Sequence, residues 1–451
     1  MNGYEQLKGL AQSAGVRVSD LLALHRGNDP FYCGSPAQVE HAQWFARLIE
    51  QFAFDGLFLL RRVHYRVVSQ REPVLMVNGK PYENTEPCWN YLCQAGKAAR
   101  TLGLVDARRF VDQRNPDPRI FRAHRYDLDP SVGFDDFHGF DLPGISRWLQ
   151  PPAFDLPEPD IYGYDYTAAD QPFLLEAWIE KSTMTDVLLP VCHRFGMNLV
   201  ESAGFQSITA AVSLIERAKA AGKPARVFYI SDFDPAGDRM PVAVARQCEY
   251  NVQRFGPADV SLTPLALTGE QVAEFDLPRI PIRESDLRRA NFEARHGEGA
   301  VELDALEALH PGTLAALVSQ AAQQYFDDDL PALADETERG AQAEVETAWR
   351  DETADERGAL DELRDEAAAI FDRYRPSLEP LAAALDADLE PLRAKAATIA
   401  ADVRDKLHTF APNLPPRAES ELTPPDETAW LFDSRRDYLD QLAAYRDEVQ
   451  Q

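Results

Sequence analysis

Cysteine is scarce: five residues in 451, at positions 33, 88, 93, 192 and 248, an odd number with no Cys-x-x-Cys pair. A disulfide framework and a zinc ribbon are thereby excluded, and a reducing cytoplasm is the expected setting. No apolar run approaches the roughly 18 residues of a membrane helix. The first residues, MNGYEQLKGLAQ, lack the basic stretch and apolar run of a secretion signal. Positive charge is also short, with 46 Lys and Arg against 74 Asp and Glu and a net charge of −28. The molecule as a whole therefore repels nucleic acid, and any phosphate contact needs a local basic patch. No GxxxxGK[ST] loop occurs, so ATP hydrolysis is not expected of this chain.

Such a patch exists. After a helical segment at 1–55, residues 56–125 carry 13 Lys and Arg against 6 Asp and Glu, a net charge of +7. Within them LFLLRRVHYRVV has the spacing of an amphipathic helix. VLMVNGKPY places Asn78-Gly79 between apolar residues, a hairpin signal. Asn84 or Thr85 can start a helix through CWNYLCQAGKAART, Gly103 can end it, and LVDARRFVD reads as a strand. Helix, hairpin, helix and strand suit a winged-helix DNA-binding module, with Lys97 and Arg100 on the recognition helix. An ordinary arginine-rich surface is the alternative.

Residues 126–170 are rich in Pro, Gly, Asp and aromatics and read as an ordered linker. From 171 to 329, strands alternate with helices: FLLEAWIE, NLVESA, RVFYISD and VSLTPLAL are the strands. This predicts an α/β domain with a parallel sheet and flanking helices, whose ligands lie beyond the strands' carboxyl ends. There, Asp232-Phe233-Asp234-Pro235-Ala236-Gly237 follows an apolar strand. Alternation turns Asp232 and Asp234 to one side and Phe233 to the other. Pro235 stops the strand and Gly237 permits a tight turn. Glu180 ends an earlier strand. Three hard oxygen donors at strand ends are what Mg2+, or Mn2+, requires. A lone Asp-x-Asp is more often just a strand-ending turn; the three-part combination carries the specificity.

The order Glu180-Lys181, Gly204, then DFDPAG resembles the Toprim domain, and most of all its version in topoisomerase VI A subunits and the meiotic double-strand-break proteins. LTGEQVAEFDLP resembles the continuation of that domain, and the likeness spans roughly residues 56–310. It implies a Toprim domain preceded by a winged-helix module bearing a catalytic tyrosine. In the family, an arginine shortly precedes a pair of tyrosines on a helix. Here the stretch is Arg61-Arg62-Val63-His64-Tyr65: Tyr65 stands at the catalytic position and His64 replaces its neighbour. Arg61, Arg62 and Arg66 would favour the phenolate and neutralise phosphate. Tyr65 reads equally as a partly buried helix aromatic.

The resemblance further implies double-stranded DNA as partner, a homodimer that supplies tyrosine and metal from different subunits, a separate ATPase subunit and a nucleoid-associated location. Cleavage could use Tyr65 or, as in the Toprim nuclease subunits of plasmid-defence systems, a metal-activated water. The alternative is a non-catalytic DNA-binding adaptor. Lys181 and Ser182 could touch phosphate. Glu302, Asp304 and Glu307 are either a second-metal ligand set or a helix start, and His193 reads as structural. Residues 330–451 form an acidic helical tail; from 331 it holds 29 acids and 14 bases and suits a coiled-coil pair or dimer arm.

Overall fold

The computed structural model describes residues 3–25, 31–112, 115–121, 129–142, 153–202, 207–377, 382–423, 425 and 430–450. Gly204, Arg114, Arg122 and Arg125 lie outside the described residues. The helices run α1 (Gly3–Ser13), α2 (Pro36–Gln51), α3 (Leu60–Val68), α4 (Glu86–Leu102), α5 (Thr185–Phe195), α6 (Ile208–Ala221), α7 (Met240–Phe255) and α8 (Gly269–Glu274). Then come α9 (Arg289–His296), α10 (Leu303–Leu309), α11 (Thr313–Gln323), α12 (Leu330–Glu352), α13 (Ala354–Tyr374), α14 (Ala382–Thr409) and α15 (Tyr438–Gln450). The strands are β1 (Ser131–Phe134), β2 (Pro159–Tyr162), β3 (Leu174–Ile179), β4 (Asn198–Glu201), β5 (Ala225–Ile230), β6 (Val260–Ala266) and β7 (Phe432–Asp433).

The chain divides into two compact units. The first comprises 1–124, 171–327 and 422–451; the second comprises 125–170 and 328–421.

The first unit is built on a five-stranded sheet of order β4-β3-β5-β6-β7, parallel except for β7. Alternate residues face two helical layers. Leu175, Ala177 and Ile179 pack with Phe228 and Ile230 against α5 and α11. Leu174, Trp178, Val227 and Tyr229 pack against α6 and α7. The β4 edge is covered by Arg119, whose backbone pairs with Leu199. All four strands expected from the alternation are present.

The N-terminal part packs α2 on α4 through Trp44, Phe45, Leu48, Leu92, Ala95 and Ala99. Asn78-Gly79 makes the expected turn, with Leu75 opposite Pro81. Thr85 caps α4 and Gly103 ends it at φ 75. Residues 104–112 differ from expectation. They form a short 3-10 turn (Ala107–Arg109) and a single bridge from Phe110 to Phe58 instead of a full strand. The reason is local: Asp106 accepts from the backbone N–H and guanidinium of Arg108, which closes a turn.

In the second unit, the segment read as a linker is part of a domain. β1 and β2 form an antiparallel hairpin, and Trp349 and Gln342 of α12 donate to the carbonyls of Pro157 and Pro159. Leu360, Leu363, Ala367 and Phe371 of α13 meet Leu385, Leu389, Leu392, Ala396 and Val403 of α14, with Leu142, Phe154 and Leu156 in the same core. The coiled-coil spacing of the tail is thus satisfied within one chain. The last thirty residues return to the first unit, where β7 covers the outer edge of β6.

Candidate metal centre and basic face

Parallel pairing sets Ile179 opposite Ile230, so Glu180 leaves its strand one residue past that pair and Asp232 leaves the neighbouring strand two residues past it, close enough for the Asp232 backbone N–H to donate to the Glu180 carboxylate. The chain runs from β3 outward to β4 on one side and from β5 outward to β6 on the other. The β3–β5 gap is therefore the sheet's topological switch point, where such sheets open a crevice.

The Asp-x-Asp loop is pinned on both sides. Phe233 and Val301 exchange backbone hydrogen bonds, both at 2.9 Å, and the Phe233 ring turns into the core. Asp234 Oδ1 accepts from the N–H groups of Ala236 and Gly237 at 2.8 and 2.6 Å. Asp232, 6% exposed, accepts from Leu303 N at 2.8 Å. Gly237 is needed for close approach; its φ is not positive, and a Cβ there would collide with the carbonyl oxygen of Asp232.

Burial, then the charges of Asp232 and Asp234, push Glu180 up to about 7. Its Oε2 is buried with no hydrogen-bond partner. Burial also raises Asp232, opposed by the ammonium of Lys181 2.8 Å away. Lys181 in turn reaches Glu302 and Asp304, so its partners in this structure are carboxylates. The Tyr229 hydroxyl is buried without a partner, and burial and the Glu180 charge raise it far above an ordinary phenol. Among the described residues no three His, Cys, Asp or Glu side chains stand at metal-ligand spacing. Glu180, Asp232 and Asp234 share one electrostatic neighbourhood without forming a closed shell. The partnerless oxygen of Glu180 and an all-oxygen donor set fit a hard divalent cation.

Glu307 turns elsewhere: it accepts from the N–H groups of Gly312 and Leu314, capping α11. His193 packs its ring on Phe121. The sequence reading missed a cleft of about 560 Å³ beside the loop, lined by Asp232, Gly237, Asp238, Arg279, Arg295 and His296. There Asp238 pairs with Arg295 at 2.6 Å, and burial lowers His296. No motif joins these residues in sequence.

The nucleic-acid candidates separate into two groups. On α3, Arg61, Arg62, Tyr65 and Arg66 are all exposed, Tyr65 by 54%, while Val63, His64 and Val67 face inward. His64 is held by Tyr82 Oη at 2.8 Å and Asn84 Oδ1 at 3.1 Å. Arg100 is packed inward, while Lys97 on the same helix is half-exposed. The helix expected to read DNA is a packing helix: its C-terminal carbonyls accept from Tyr250 and Arg254 of α7. The Arg100 guanidinium lies 4.4 Å from the Phe110 ring centre and donates to Thr209. Its Nε is buried with no partner, and burial lowers Arg100 to about 10. Tyr65 meets the His64 ring and, among the described residues, none of the three carboxylates.

No protein-family model matches the chain, and no curated protein matches its sequence. Among the described residues no helix is long and apolar enough to cross a membrane.

Proposed function

We propose that this chain is a Mg2+-dependent DNA-cleaving protein of the topoisomerase VI A type, with a Toprim-like domain behind a winged-helix-like module. One observation carries the reading: Glu180 and Asp232 emerge side by side at the switch point of a parallel sheet, with Asp234 on the same loop. Nothing in the packing of a sheet calls for three clustered carboxylates, one of them raised to about 7.

Glu180, Asp232 and Asp234 would hold the cation, Mn2+ serving as substitute, and it would supply charge stabilisation at the phosphodiester oxygens. The remaining work falls to the protein's own groups. The exposed arginines of α3 offer a phosphate-binding face in an otherwise acidic molecule. Tyr65, between Arg61 and Arg66 on that face, would attack a bound backbone; a water nucleophile would leave it as a binding residue. A homodimer would bring the tyrosine of one copy to the carboxylates of the other, and ATP hydrolysis would belong to a separate subunit. A non-catalytic DNA-binding adaptor is favoured by one feature, the Lys181 ammonium already lodged on Asp232.

The test is plasmid cleavage with and without Mg2+, with product ends assayed for covalent protein. Metal-dependent breaks are expected; DNA bound but left intact with either metal supports the adaptor.

A further inference from the structure

Lys181 stands where the carboxylate of the Asp-x-Asp loop meets those at the start of α10. Its ammonium is 2.8 Å from Asp232, 3.1 Å from Glu302 and 3.4 Å from Asp304. Carboxylates from two segments some seventy residues apart in sequence thus converge on one cation. Glu180 and Asp234 stand beside them, and a buried oxygen of Glu180 has no partner. Lys181 is the ammonium among these five carboxylates, and the Arg288 guanidinium also lies within electrostatic reach of Asp234.

The three ion pairs are unequal. The Asp232 side chain is 8% exposed, against 53% for Glu302 and 46% for Asp304. A buried carboxylate cannot lose its counter-charge cheaply, so the ammonium leaves Asp232 only when another cation arrives. The exposed pairs form and break at little cost. The four-carbon stem of lysine lets the ammonium shift without moving the backbone.

We propose that Lys181 is a tethered counter-cation. It occupies Asp232 until a divalent cation displaces it, and is then retained by Glu302 and Asp304. This rests on the metal reading above and adds a selection rule. At Asp232 itself, a monovalent ion replacing the ammonium brings no gain in charge, whereas a divalent ion adds one positive charge there. Lys181 is a positioning residue in this scheme: it keeps the cluster intact without metal and sets how strongly metal must bind.

The experiment is calorimetric titration of the full chain with Mn2+ and with Mg2+, for wild type, Lys181→Met and Lys181→Arg. Lys181→Met should bind either ion about tenfold more tightly, and Lys181→Arg no more tightly than wild type. Equal or weaker binding by Lys181→Met overturns the counter-cation and leaves the metal reading standing. No binding by any of the three overturns both. Because Lys181→Met can unfold, the exchange is also read in wild type. Acylation of the Lys181 amine, quantified by mass spectrometry, should rise severalfold with saturating Mn2+ and not with K+. Labelling unchanged by Mn2+, with binding heat present, overturns the inference.

Discussion

The backbone carbonyl of Asp232 lies so close to Gly237 that a Cβ on that glycine would overlap it. The tight loop that aims two carboxylates is therefore closed by backbone-on-backbone contact. Gly237→Ala should cost about 1–3 kcal/mol, since the backbone must shift. It should also weaken Mn2+ binding, because Asp232 and Asp234 ride on the displaced loop. Urea unfolding and calorimetry measure both; a variant matching wild type in stability and affinity would show that the loop relaxes freely.

Asp232→Asn and Asp234→Asn preserve the acceptors used by Leu303, Ala236 and Gly237 while removing charge. Both variants should fold and lose metal-dependent cleavage. Asp234→Ala should be less stable than Asp234→Asn by about 1 kcal/mol, because two loop N–H groups lose their partner. If both Asn variants cut DNA at the wild-type rate, the carboxylates hold no catalytic metal.

Glu180 links the centre to pH. Its folded-state value is raised to about 7 from 4.5, so folding favours the protonated form. The stability this contributes is complete below about 4.5 and is lost as pH rises through about 7. Glu180→Gln should therefore raise the Tm of metal-free protein at pH 8 and change it little at pH 4.5. Thermal melts at the two pH values decide this; a gain of the same size at both would place the effect outside the titration of Glu180.

The two arginine groups predict opposite phenotypes. Arg61→Glu with Arg62→Glu should weaken DNA binding and leave the fold intact. Its salt dependence should flatten by about one unit of slope for each phosphate that is no longer neutralised. Arg100→Ala should lower stability by about 1–3 kcal/mol, because a guanidinium packed on Phe110 is removed. Binding isotherms at several salt concentrations, paired with urea unfolding, separate them. An unchanged salt slope in the α3 double variant would remove this face from the DNA path.

Tyr65→Phe removes one exposed hydroxyl from α3 and keeps the ring. A tyrosine nucleophile makes the variant inactive and leaves wild-type protein on the cut ends, seen as DNA that phenol retains until protease is added. A water nucleophile gives an active variant and protein-free ends.

The local order of this chain was legible because its signals are local. Short apolar runs alternating with helical segments gave β3, β5 and β6; the Asn78-Gly79 turn, the Thr85 cap and the Gly103 stop each act within four residues. The composition of DFDPAG was enough to expect a strand-ending acidic loop. What the tertiary structure decided depends on distant partners. That β3 lies beside β5 follows from crossover packing, and only that adjacency brings Glu180 to Asp232. Lys181 meets Glu302 across 121 residues, a pairing that no local signal announces. Arg100 looks as basic in sequence as Arg61 and Arg62. Which helix faces outward was settled by α4 packing against α2 and α7, because burial is a property of neighbours and not of the residue.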